Sequence, residues 1–275
     1  MAKKVGKSSG GTLIIIGGHE KRRGEMRILE EVAKYNAGSK LVVTTVASHT
    51  AASELWNEYR EAFQSLGVKS VKHLDLTERP QSTTPKQLSL LKDAKTVFFT
   101  GGDQLRITSV LGGTPMLDAI RKIYQRGGVI AGTSAGASAI SQTMLLSGRS
   151  AETPRLEQRL GMAPGLGFLK DAIVDQHFAE RGRIGRLLGA VALNPSDLGI
   201  GIDEDTSLIV EGKVGRVLGS GGVYIVDASG ATNTNVSDGT TEGALSLFDI
   251  RLHVLSNGDK LNLEARIPEK FPAPR

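Results

Sequence analysis

Between residues 12 and 134 the chain repeats one pattern. A short apolar or, at 68–76, alternating run closed by glycine or a polar residue is followed by a longer stretch with helical spacing. The runs are "TLIIIGG" (12–18), "KLVVTTVAS" (40–48), "VKSVKHLDL" (68–76), "AKTVFFTGG" (94–102) and "GGVIAGTS" (127–134). Helices are expected near 24–36, 51–66, 85–92, 104–124 and directly after 134. Strands that are apolar at every position must be covered on both faces. The βαβα rhythm therefore predicts a mostly parallel sheet sandwiched between helices. The 34 glycines are consistent with many tight strand–helix turns.

Beyond residue 165 the rhythm changes. "AIVDQHF" (172–178) precedes a helix near 180–193, and "LGIGIDEDTSLIVEGKVGRVLGSGGVYIVDA" (198–228) packs short strands between glycine turns. These read as antiparallel strands added to the same sheet, a β-rich C-terminal part. "SLFDIRLHVLSNGDKLNLEA" reads as a hairpin turning at Asn257-Gly258. With no internal repeat and no linker, residues 12–275 are expected to form a single α/β domain behind a flexible tail at 1–11.

Composition narrows the chemistry. The chain has no cysteine, which rules out disulfides, thiol nucleophiles and thiolate metal sites. A net charge of +5 is spread along the chain rather than blocked, and aromatic residues are 4%, so a nucleic-acid partner is not expected. No apolar run of membrane-spanning length and no signal-peptide pattern are present, and a cytoplasmic location with no membrane association is expected. "FFTGGDQ" and "IIIGGHE" each place a glycine pair at a strand end, but neither forms a dinucleotide fingerprint, and no cofactor is expected.

Gly132-Thr133-Ser134-Ala135-Gly136 fits the G-x-S-x-G elbow, which lifts a serine out of a strand-to-helix turn; the same spacing also serves a plain small-residue turn. A nucleophilic serine needs a base and a group to orient that base. Of five histidines, His177 closes a predicted strand, on the edge where open α/β sheets bind ligands, and is the favoured base; His19 is the runner-up. For the orienting acid, "DED" at 203–205 offers Glu204, whose direction alternates with Asp203 and Asp205, and Glu152 is a second choice. The N–H groups of Gly102 and Ala135 are candidates for an oxyanion hole.

Taken together, "TLIIIGGHE", "FFTGGDQ", "GTSAGAS", "DQHFAERGRIGR" and "GIGIDEDT", in order over residues 12 to 227, resemble the cyanophycinases, serine peptidases related to bacterial aspartyl dipeptidases. The resemblance implies a three-layer sandwich like class I glutamine amidotransferases, a homodimer and no metal. It implies hydrolysis of cyanophycin, a poly-aspartate bearing arginine on each β-carboxyl, to β-Asp-Arg dipeptides. It also implies that Ser134 is nucleophile, His177 base and Glu204 orienting acid. Gln104, Asp175, Gln176, Arg181, Arg183 and Arg186 correspond to substrate-pocket positions; carboxylate-binding arginines and guanidinium-binding acids or amides suit such a substrate. An α-aspartyl dipeptidase and a catalytically silent binding protein of the same fold remain alternatives. "GGHEKRRG" departs from the family pattern at His19, and residues 228–275 match no motif.

Overall fold

A computed structural model describes residues 10–48, 50–146, 160–237 and 243–269. Its first half follows the expected rhythm: β1 (Thr12–Ile16), α1 (Arg27–Asn36), β2 (Lys40–Thr44), α2 (Ala52–Ser65), β3 (Ser70–Leu74), α3 (Pro85–Leu90) and β4 (Ala94–Phe99). It continues with α4 (Gln104–Leu111), α5 (Pro115–Gln125), β5 (Val129–Thr133), α6 (Ala135–Ile140) and β6 (Ser141–Leu145). The second half contains β7 (Met162–Pro164), β8 (Leu169–Gln176), α7 (Ile184–Leu193), β9 (Leu198–Ile202), β10 (Thr206–Glu211), β11 (Val214–Gly219) and β12 (Val223–Asp227). The strand pair β13 (Asn233–Thr234) and β14 (Leu247–Phe248), then β15 (Arg251–Leu255), β16 (Lys260–Asn262) and β17 (Ile267–Pro268), complete it.

The strands form two large sheets rather than the single one expected. The first has the order β17-β16-β11-β10-β1-β5-β4-β2-β3, and the second β15-β12-β9-β8-β6-β7. The first sheet is parallel from β1 through β5, β4 and β2 to β3, and antiparallel from β1 outward through β10. In the second, β6, β8 and β9 run parallel.

Period-two alternation explains the layers. From β1, Ile14 and Ile16 join Leu41, Val43 and Phe98 under α1 and α2, whose buried stripe includes Ile28, Leu29, Val32, Tyr59 and Phe63. Leu13 and Ile15 face the other way, into a core that also holds Phe99, Ile107, Leu117, Ile140, Val174, Ile200 and Val223. That core joins the two sheets. Outside the second sheet, α7 packs Leu187, Ala190 and Val191 against Ile173 and Val226. Each fully buried aliphatic side chain contributes roughly 1.5–3 kcal/mol.

Three further local expectations are corrected. The helix expected over 104–124 is two, because Gly113 adopts φ +68° and Thr114 caps a new helix begun by Pro115. The helix expected directly after residue 134 lasts only to Ile140: Ser141 turns extended and β6 pairs beside β8. The Asn257-Gly258 hairpin does not form. There β15 pairs with β12 in one sheet and β16 with β11 in the other, so this turn carries the chain between sheets.

Candidate active site

Ser134 stands between β5 and α6 with φ +53° and ψ −114°, a backbone state that costs a non-glycine residue on the order of 1–3 kcal/mol and is tolerated where surroundings enforce it. Its N–H donates to the Ile16 carbonyl at 3.0 Å. The flanking glycines are required by contact. A Cβ on Gly132 would lie 2.6 Å from the Gly136 carbonyl, and one on Gly136 would lie 2.5 Å from the Phe99 carbonyl oxygen. The elbow therefore closes only when both positions lack a side chain.

His177 follows β8 and reaches the same place from the second sheet. Its backbone N–H donates to the Gly17 carbonyl at 2.9 Å, and its ring fits over Gly18, where a Cβ would come within 2.3 Å of Cε1. Ser134 Oγ and His177 Nε2 are 2.8 Å apart, and His177 Nδ1 and Glu204 Oε1 are 2.6 Å apart. With the proton on Nδ1 donated to Glu204, Nε2 is free to accept from the serine. Burial pushes the His177 imidazole below its ordinary pKa. The Glu204 hydrogen bond opposes that shift and the nearby Arg181 charge adds to it. The ring is thereby poised as a neutral base. Glu204 alone of its acidic trio turns to the ring: Asp203 accepts from the N–H groups of Ala179 and Gly222, each at 2.9 Å, and Asp205 accepts from the Ser220 hydroxyl at 3.1 Å.

Residues 13–218 match peptidase family S51. The chain belongs to that family. A cyanophycinase of Trichormus variabilis is 39% identical over 258 residues, 92% of this chain and 86% of that protein. One from Synechococcus elongatus is 36% identical over 256 residues, 92% of this chain and 79% of that protein. The crystal structure of a peptidase from an acI-B1 Actinobacterium superposes with a TM-score of 0.66 at 23% identity, covering 89% of this chain and 98% of that one, which shows the fold.

Around the elbow of this S51 peptidase, the Gly101-Gly102 turn runs beside the serine. A Cβ on Gly101 would sit 3.4 Å from Ser134 Cβ, and Gly102 takes φ +141° pressed against the Ala47 carbonyl. Gln104 spends its side-chain N–H on the Leu145 carbonyl at 2.9 Å. His19 is exposed, edge-on to His177 with ring centroids 5.1 Å apart, whereas the serine's hydrogen bond is to His177; the runner-up base is thus displaced by geometry. Glu152 lies outside the described residues.

Four of the expected pocket residues, Asp175, Gln176, Arg183 and Arg186, form a buried cluster, and for Asp175 this is a correction. Its carboxylate is wholly buried. Oδ2 accepts from Arg186 Nε at 2.6 Å, and Oδ1 accepts from Arg183 at 3.0 Å and from a second Arg186 nitrogen. A substrate guanidinium cannot reach an acid so enclosed; Asp175 instead holds two arginines in place. Arg183 also donates to the Gln176 side chain at 2.7 Å, and burial lowers its pKa to about 10. Arg181 stands exposed, one turn of chain beyond the base.

Sequence reasoning missed Glu20. This buried carboxylate accepts from the Thr133 hydroxyl at 2.6 Å and from the Tyr59 hydroxyl, tying the Gly17–Glu20 loop to the residue before the serine. Burial and the Glu20 charge hold the Tyr59 phenol well above its ordinary pKa, so it stays a donor. An acid two positions after the glycine pair that closes an apolar strand, in "IIIGGHE", was the available signal.

Proposed function

We propose that this S51 peptidase is a cyanophycinase that releases β-Asp-Arg dipeptides through Ser134, His177 and Glu204. The observation that carries the reading is the continuous chain of short hydrogen bonds, 2.8 Å and 2.6 Å, from the elbow serine through a buried neutral imidazole to a carboxylate. His177 Nε2 takes the hydroxyl proton as Ser134 Oγ attacks the backbone carbonyl, and Glu204 stabilises the imidazolium that forms. The N–H groups of Ala135 and Gly102 face the developing oxyanion. The imidazolium then protonates the leaving amine, and His177 activates the water that hydrolyses the acyl-enzyme. Arg181, with those donors of Arg183 and Arg186 that Asp175 does not occupy, supplies positive charge for the substrate's carboxylates; Gln176, bonded to Arg183, and Gln104 add amides to the substrate pocket of this reading. No step in this scheme calls for a metal or an organic cofactor. The same reading carries a homodimer and a cytoplasmic location as proposals. In its support, β15 exposes Leu252 and Val254 on one face of a sheet edge, and no helix among the described residues is long and apolar enough to cross a membrane.

The test is dipeptide release from insoluble cyanophycin, followed by chromatography. Ser134→Ala is expected to lower turnover by about 10⁴-fold or more while polymer binding persists. Release at the parental rate by that variant would overturn the mechanism. Hydrolysis of Asp-Xaa dipeptides with granules left intact would favour the aspartyl dipeptidase instead, and no reaction of Ser134 with a serine-directed reagent would favour a silent binding protein.

A further inference from the structure

We infer that His19 makes the catalytic centre a binding site for one divalent transition-metal ion of the zinc class, and that the ion switches the peptidase off. One nitrogen from each of His19 and His177 and one oxygen of Glu204 all lie within 4.8 Å of one another. His19 Nδ1 stands 3.8 Å from Glu204 Oε2, the oxygen not bonded to His177. With metal bonds of about 2.0–2.2 Å, the ligand atoms of a tetrahedral zinc stand roughly 3.3–3.6 Å apart. The trio therefore needs to close by about an ångström, and His19, with its side chain 69% exposed, has the freedom to do so. Two imidazoles and a carboxylate with a fourth position open is an established zinc donor set, harder magnesium-type competitors being disfavoured by the nitrogens. With the ion on His177 Nε2 the fourth position adjoins the Ser134 hydroxyl, which lies 2.8 Å from that nitrogen.

His19 has no part in the hydrogen-bonded path that links Ser134 through His177 to Glu204. It is nevertheless held over that path: its backbone takes φ +50°, and the preceding Gly18 carbonyl accepts from the Asp205 N–H at 2.8 Å, fixing the loop against the turn that carries Glu204. Binding and catalysis are then mutually exclusive. A metal on His177 Nε2 displaces the serine. A metal on Nδ1 displaces the proton shared with Glu204 into solvent and sets a positive charge where the imidazolium must form.

The experiment uses the full chain, stripped with a chelator, and zinc chloride as the probe. Calorimetry should show a binding step of one zinc per chain, and labelling of Ser134 by a serine-directed reagent should be blocked by the same zinc concentration and restored by chelation. His19→Asn, which tolerates the left-handed backbone, and His19→Ala should each weaken that step and the block by about 10–100-fold. Cobalt should give the absorption of a four-coordinate ion in the parent protein and lose it in both variants. Zinc affinity and labelling block that are equal in parent and variants, or no stoichiometric step at micromolar zinc, would overturn the inference. None of these readouts involves cyanophycin, so their failure is separable from failure of the proposed activity.

Discussion

Burial of His177 sets both the acid limit of the reaction and a small pH dependence of folding. Its folded pKa lies below 6.5, so the base form persists at pH values where a free histidine is largely protonated. The acid limb of kcat/KM, measured from pH 4.5 to 8 on a soluble ester or dipeptide, is expected to have its midpoint below about 6.5. Glu204→Gln removes the contribution that raises the pKa, leaving burial and the Arg181 charge, and should move the limb lower while cutting turnover by about 10²–10⁴-fold. The same shift destabilises the fold on acidification: the unfolded chain binds the proton first, so His177 costs nothing above its unfolded pKa and its cost grows as pH falls to the folded one. A limb centred above 6.5 in the parent protein would mean that charge attraction, not burial, governs the ring. At this scale Ser134, His177 and Glu204 were legible because an elbow, a strand-end histidine and an alternating acidic trio each have a local signature. The enclosure of Asp175 was not, since no sequence rule says that Arg183 and Arg186, eight and eleven positions on, will both fold back onto one carboxylate.

Among elements, the elbow depends on how closely α6 approaches β4. A methyl group added at Gly136 meets the Phe99 carbonyl oxygen at 2.5 Å, main chain against main chain, so no rotamer relieves it. Gly136→Ala is expected to push α6 outward, cost about 1–3 kcal/mol in urea unfolding and lower turnover, because the first residue of α6 is the proposed oxyanion donor. Gly189, inside α7, is the contrast: its nearest neighbour would be a Leu160 methyl at 3.7 Å, and Gly189→Ala should stabilise by about 0.5–1 kcal/mol with turnover unchanged. Equal losses from both would show that the close approach at Gly136 has no special consequence. Four of the five parallel strands were readable because burial on both faces imposes nearly unbroken apolar runs; β3, at the sheet edge and only partly buried, alternates instead. The partnering of β15 and β16 was not: two short strands about a Gly258 turn look alike in sequence whether they pair with each other or with β12 and β11.

Across the whole molecule, the reaction path crosses from one sheet to the other. Ser134 is carried by β5 of the first sheet, whereas His177 and Glu204 follow β8 and β9 of the second. Their alignment to within a hydrogen bond is therefore set by the shared core, where Leu13, Phe99 and Ile130 of one sheet meet Val174, Ile200 and Val223 of the other. Interiors packed at crystal-like density transmit displacement rather than absorb it. We propose on this ground that residues 12 to 275 fold as one unit, with no separable C-terminal domain. In a urea titration the loss of Ser134 labelling, the loss of near-ultraviolet signal from Trp56 and the loss of helix should coincide in one transition. Ile200→Ala, which opens a cavity between the sheets, should lower the midpoint by an amount equivalent to about 2–5 kcal/mol and move all three signals together. Labelling lost well before the helix signal would mean that the two sheets part while each remains folded, and the site would then be an interface between two domains.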